Sequence, residues 1–165
     1  MPRLDDILVC MGRRRSATLR EVLAYRNDEV VARFCKMWPV PRPQARRVFG
    51  DLLRYLWIAS SGEPLTPVLI VDEMWHAFVV YTRDYAAFCD RYFGRMIHHE
   101  PTRFAEERAW NRLVRRSPAR ARASLAKTLE REVALVADRL GKAVMLRWYR
   151  AYAKRYNARF FQRSA

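Results

Sequence analysis

Apolar side chains recur at helical spacing from one end of this chain to the other, and no segment shows the strict alternation of a half-buried strand. Only five glycines and eight prolines interrupt 165 residues, a scarcity that favours long helices over short strands joined by turns. Leu4, Ile7, Leu8 and Met11 predict a short first helix, with Gly12 to close it. Thr18 and Glu21 are spaced as a capping box for a second helix at about 18–26. Asn27 or Asp28 would cap a third, carrying Val30, Val31, Phe34, Cys35 and Trp38 up to Pro39. The fourth, at about 43–60, has Ala45, Val48, Phe49, Leu52, Leu53 and Leu56 in one stripe, with Arg46, Arg47, Asp51 and Arg54 off it.

Thr66-Pro67 reads as the start of a fifth helix, a capping hydroxyl before a proline at the first helical position. That helix, PVLIVDEMWHAFVVY at about 67–81, is apolar nearly all round and so predicts a buried central element. A sixth, at about 83–93, carries Tyr85, Phe88, Cys89, Tyr92 and Phe93 and stops at Gly94. Thr102 is a candidate cap for a seventh at about 103–116, which Ser117-Pro118 breaks. The eighth, at about 122–140, sets Leu125, Leu129, Val133, Val136 and Leu140 on one side and stops at Gly141; the last, at about 142–156, carries Val144, Met145, Trp148, Tyr149, Tyr152 and Tyr156. The expectation is one all-α domain over 1–165: a compact bundle of about eight or nine helices around the 67–81 helix, with a tail at 157–165.

Three widely spaced cysteines, Cys10, Cys35 and Cys89, form no CxxC pair, so they read as reduced core residues of a cytoplasmic protein. The run MPRLDDILVCMGRRR puts charge on both sides of a very short apolar stretch, unlike a secretory signal. No stretch approaches the ~20 apolar residues of a membrane span.

The net charge is +15, and 28 of the 32 basic residues are arginine. Residues 1–107 nearly balance, whereas 108–127 hold Arg108, Arg112, Arg115, Arg116, Arg120, Arg122 and Lys127 with no acid. Residues 142–165 hold Lys142, Arg147, Arg150, Lys154, Arg155, Arg159 and Arg163, again with no acid. Codon bias alone would spread arginine evenly, so the clustering points to a surface for an anionic partner. The leading expectation is a non-enzymatic module that binds nucleic acid or another polyanion through this basic half; an acidic protein partner is a further alternative. Phe160 and Phe161 beside Arg159 would stack on unpaired bases if exposed. Up to Tyr156, the spacing is what a buried stripe with a solvated basic face requires, and that reading is preferred there.

All three histidines, His76, His98 and His99, fall within 24 residues. Asp72 and His76 lie one turn apart on one helix face, with Glu73 on another. Asp72 could orient His76 while the other ring nitrogen takes a divalent metal, with His98 or His99 completing the site. A metal-dependent or acid–base enzyme centred on Asp72, His76 and His99 is therefore the rival to the binding module. A purely structural hydrogen-bonded pair is the simpler alternative. No HExxH, GxSxG, phosphate-cradling glycine loop or dinucleotide fingerprint is present.

The run VDEMWHAFVVYTRDYAAFCDRYFGRMIHHEP, with Asp72, Trp75, His76, Tyr85, Cys89, Gly94 and His99, resembles the signature of the glycine-rich-domain-protein-like family. The resemblance covers residues 65–101 and extends upstream through RFCKMW and VFGDLLRYL and downstream to LRWYRAY, a family-like core at about 18–156. It implies an α-helical domain and no settled activity. Many eukaryotic members have a second histidine where this chain has Phe78, and the glycine-rich tail of the larger plant members is absent.

Overall fold

The computed structural model describes residues 17–164, so the helix expected around Leu4 to Met11, and Cys10 with it, lies outside the described residues. Of the described residues 76% are helical and none lies in a strand. The helices are α1 (Leu19–Leu23), α2 (Asp28–Met37), α3 (Arg42–Ala59), α4 (Leu69–Val79), α5 (Thr82–Phe93), α6 (Phe104–Arg116) and α7 (Pro118–Leu140). A final rod comprises α8 (Lys142–Leu146), a π-helical stretch (Arg147–Tyr152) and α9 (Ala153–Arg155), and α10 (Ala158–Ser164) follows. No helix among the described residues is long and apolar enough to cross a membrane.

Local chemistry explains most boundaries. The Thr18–Glu21 capping box forms as expected, and the Asn27 side chain accepts from the Val30 amide to open α2. Gly94 ends α5 in the left-handed region at φ 67°, which a side chain would disfavour. Other starts differ from expectation. Thr66 does not cap α4: its amide and hydroxyl both donate to Glu132 Oε1 on α7, at 3.0 and 2.8 Å, and the helix begins at Leu69. Thr102 does not cap α6, which starts after Arg103 without a side-chain cap. Helix α7 begins at Pro118 rather than 122, because proline at the first position needs no amide partner.

Helix α3 is the hub, packing against α1, α2 and α4. Its stripe is buried as expected, and Phe49, Leu52, Leu53, Trp75, Phe78, Phe88 and Cys89 share one core. Tyr25, Phe49, Phe78, Phe88 and Tyr92 form its aromatic heart, with tilted and edge-on ring pairs 4.8–6.2 Å apart. The central helix α4 is buried through Ile70, Val71, Met74, Trp75, Ala77 and Phe78. Its outward edge carries half-exposed Leu69, partly buried Asp72 and Glu73, and exposed His76. In α7 the expected stripe fails in its first half: Leu125 and Leu129 are 59% and 47% exposed, whereas Val136 is buried and Leu140 packs against the core. Helix α6 packs on α7 and buries no residue at all.

Asp51 departs furthest from its expected place on a solvated flank. It is fully buried and accepts from Arg147 Nε (2.8 Å), Arg147 Nη2 (2.6 Å), Tyr152 OH (2.8 Å) and Arg54 Nη1 (3.3 Å). In a regular α-helix Arg147 and Tyr152 would sit about 140° apart around the axis. The π turn, closing i to i+5, brings them to one side, so both reach one carboxylate. Arg147 is therefore a clamp on α3 rather than a free cation, and the pair raises its pKa above the ordinary arginine value. Removing one partner of a buried pair strands the other charge. Asp51→Ala should lower the stability of the fold by about 3–5 kcal/mol, whereas replacing both Asp51 and Arg147 with apolar residues of similar volume should cost less. Urea unfolding of the three proteins checks this; equal losses in the single and double variants would contradict it.

Candidate functional site

The link between α5 and α6 is held against the core by two hydrogen bonds in series. Trp75 Nε1 donates to Tyr85 OH at 3.0 Å, and Tyr85 OH donates to the Ile97 carbonyl at 2.6 Å. Tyr85 is buried, and that burial pushes its phenol pKa well up, so it remains a neutral donor. With Ile97 pinned, His99 two residues on lies flat on the Trp75 indole, ring centroids 4.1 Å apart and planes 20° apart. His76 covers its other face at 4.6 Å and 5°. Trp75, His99 and His76 thus form one continuous stack at the outward edge of α4.

Both imidazoles present Nε2 to the same carboxylate. His99 Nε2 is 3.2 Å from Asp72 Oδ1, and His76 Nε2 is 3.9 Å from Asp72 Oδ2. The three residues each offer one donor atom, all within 4.8 Å of one another. His99 Nε2 is buried, and the Asp72 carboxylate is the polar group that faces it. The other nitrogen of His76, Nδ1, stands 3.7 Å from Glu73 Oε2. Glu73, expected on a different face, therefore flanks His76; residues three apart are helix neighbours, and the glutamate stem spans the angle between faces.

The residues expected at this site divide cleanly. Asp72, His76 and His99 come together, while His98 is exposed and stands outside the donor cluster. A cleft of about 310 Å³ lies on one side, lined by His76, His98, Tyr85, Met96 and Ile97 among others. A second of about 650 Å³ lies on the other, with Tyr55, Asp72, Trp75 and Glu100 in its wall. Both include His76 and His99, so the stack is the partition between them.

Of the residues expected to bind an anion, Arg108, Arg112, Arg115, Arg116, Arg120 and Arg122 are exposed on α6 and α7, and none joins an ion pair among the described residues. Arg150, Lys154, Arg155 and Arg159 are exposed in the C-terminal segment. Arg147 is taken by Asp51. Phe160 and Phe161 are half-buried: Phe160 packs on Tyr156 at 5.1 Å, and Phe161 packs edge-on against Trp38 at 4.9 Å. They serve the core more than an open stacking platform.

Burial holds the His99 pKa below the ordinary histidine value. The neighbouring His76 adds to that lowering, and Asp72 opposes it. His99 is then a neutral donor at pH 7. The unfolded chain takes up this proton first as pH falls, so the stability His99 contributes is complete above about 6.5 and declines below it. Proton NMR titration should place the His99 ring below about 6.5, lower still in Asp72→Asn and higher in His76→Ala. A midpoint at or above that ordinary value in the unaltered protein would contradict the geometry.

A family model described as UCP032817-like matches residues 23–124, well over half the chain and all of the Asp72–His76–His99 cluster. The match carries no glycine-rich-domain name, and its description states no activity. No curated protein and no solved structure matches the chain.

Proposed function

We propose that this chain, which belongs to the UCP032817-like family, holds one divalent transition-metal ion on Asp72, His76 and His99 and presents it to the adjoining clefts. One observation carries the reading: His99 Nε2, buried, faces the Asp72 carboxylate at 3.2 Å, and a donor atom of His76 lies within 4.8 Å of both. Two donors on a tetrahedral zinc ion, each about 2.0–2.2 Å from it, stand about 3.3–3.6 Å apart. At 3.2 Å the two atoms stand just inside that span, so a small outward shift would admit an ion between them. Glu73 beside His76 Nδ1 favours the tautomer whose Nε2 lone pair is free, the usual supporting role of a carboxylate behind a ligating histidine. His76 is exposed enough to tilt from the stack and complete the site.

Two nitrogens and a carboxylate leave one position of a tetrahedral ion open, as in catalytic rather than structural sites. A metal there would polarise a substrate oxygen or lower the pKa of a bound water towards neutrality. Met96 and Ile97 give the adjoining cleft apolar walls, and exposed His98 lines it beside them.

The test is calorimetric zinc titration of chelator-treated protein. The expected result is one ion per chain, with His99→Ala and Asp72→Ala each weakening affinity by at least about 100-fold and His98→Ala by less than about threefold. Substoichiometric binding, or equal loss in His98→Ala, would leave Asp72 and the histidines as a structural cluster.

A second reading, binding of a polyanion such as nucleic acid, is favoured by the hairpin of α6 and α7. Helix α6 buries nothing, and the cations at 108–127 stand in solvent with no acid among them. Each neutralised phosphate on duplex DNA adds about −0.9 to the log–log salt slope, so four to six contacts give a slope near −4 to −5. Reversing Arg112, Arg115 and Arg116 to glutamate should weaken binding alike for all sequences, since phosphate contacts carry no base information. Fluorescence anisotropy across a salt series measures both; no binding by folded protein at low salt would end this reading.

A further inference from the structure

A cleft of about 680 Å³ opens where α1, α2 and α3 meet the π-helical stretch, away from the histidine stack. Arg26, Arg46, Arg47, Arg54 and Arg147 line it, and Gly50 lies among them. Asp28 at the rim pairs with Arg46, Asp51 beneath pairs with Arg147, and Asp84 stands behind Asn27. The five guanidiniums outnumber these carboxylates in a concave space of the size small-molecule sites occupy.

The arginines are not equivalent. Arg46 is held by Asp28 at 3.1 Å, and Arg147 is forked onto Asp51. Arg26 donates Nη1 to the Leu23 and Tyr25 carbonyls at 2.5 and 2.8 Å, which fixes its guanidinium at the mouth. Arg54 spends a single 3.3 Å contact on Asp51, leaving most of its fork unused. Arg47 is exposed and has no ion pair or hydrogen bond among the described residues. The buried pair below thus sets the position of Arg54, and Arg47 supplies an unengaged fork from the helical turn that precedes Gly50.

Gly50 is the second observation. It sits in the middle of an 18-residue helix, where glycine is the poorest choice short of proline. A Cβ there would come within 3.3 Å of Arg54 Nη1, so the missing side chain lets that guanidinium lie over the helix backbone at the cleft floor. Beside this cationic rim the floor is apolar, made by Val31, Phe49 and Leu53.

We propose that this cleft binds a small phosphorylated molecule, its phosphate or pyrophosphate meeting the Arg47 and Arg54 forks and its apolar or aromatic body lying on Phe49 and Leu53. Planar guanidiniums match phosphate oxygens two at a time, and the nearby aromatic floor selects an organic phosphate over the bare ion. The site shares no residue with the metal cluster, so either assignment stands without the other.

Calorimetry of the full chain at about 0.15 M salt, where loose surface attraction is screened, provides the test. The probes are inorganic pyrophosphate, adenosine diphosphate and adenosine. The diphosphate should bind at one saturable site, at least tenfold more tightly than pyrophosphate and a hundredfold more tightly than adenosine. Arg47→Glu disturbs no contact in the fold and should weaken the diphosphate tenfold or more. Gly50→Leu, which suits a helix better than glycine and fills the floor, should do the same. The hairpin reversal of Arg112, Arg115 and Arg116 should leave that affinity within twofold. Absence of saturable binding, or unchanged affinity in Arg47→Glu, would overturn the proposal. Pyrophosphate bound as tightly as the diphosphate would overturn the role given to the apolar floor.

Discussion

One fully buried carboxylate, Asp51, determines how the C-terminal half attaches to the rest. A buried carboxylate is tolerable only when its charge and lone pairs are met. Here the partners come from 96 and 101 residues away, Arg147 and Tyr152, and a π turn is the backbone adjustment that lets both arrive. The rod that carries them also brings Trp148 and Tyr156 into the core. Glu132 repeats the arrangement on a smaller scale, a nearly buried carboxylate on α7 that accepts from Thr66 and fixes the approach to α4. Two polar anchors therefore locate helices whose own apolar faces are narrow.

The histidine cluster depends on a different kind of support. Helix α4 places Asp72 and His76 one turn apart by its period alone. His99 comes from a segment without regular structure, which the Trp75–Tyr85–Ile97 relay ties to the core and the stack against Trp75 and His76 steadies. Trp75 has two roles in this: its indole N–H begins the relay and its face receives the His99 ring. The outcome is a neutral, desolvated donor beside a carboxylate, on a partition between two clefts.

Much of this was legible in the residues themselves. Helix order, the Thr18 and Asn27 caps, the Gly94 stop and the pairing of Asp72 with His76 all follow from local spacing, and the Trp-His and His-His motifs pointed to His99 as their partner. What was not legible depends on distant partners. Periodicity marks Asp51 as flanking the stripe, but whether a flank is wet or dry is decided by what α3 meets, and that partner is far along the chain. Leu125 and Leu129 show the converse: a stripe exists, yet its first half stays largely exposed. Glu73 escaped because a face argument follows Cβ positions, and its reach lies in its stem. The arginine cleft was hidden because residues 1–107 nearly balance in charge; the signal available was a glycine inside a strong helical pattern, between Arg46, Arg47 and Arg54.

Whether the stack at the edge of α4 is a metal site, as proposed, is tested most directly by an anomalous-difference map. Crystals of the protein would be grown with zinc and recorded at the zinc absorption edge. The proposed site predicts one strong peak about 2.0–2.2 Å from His76 Nε2, His99 Nε2 and an Asp72 oxygen. An empty cluster in those crystals, with His99 still stacked between Trp75 and His76, would contradict it.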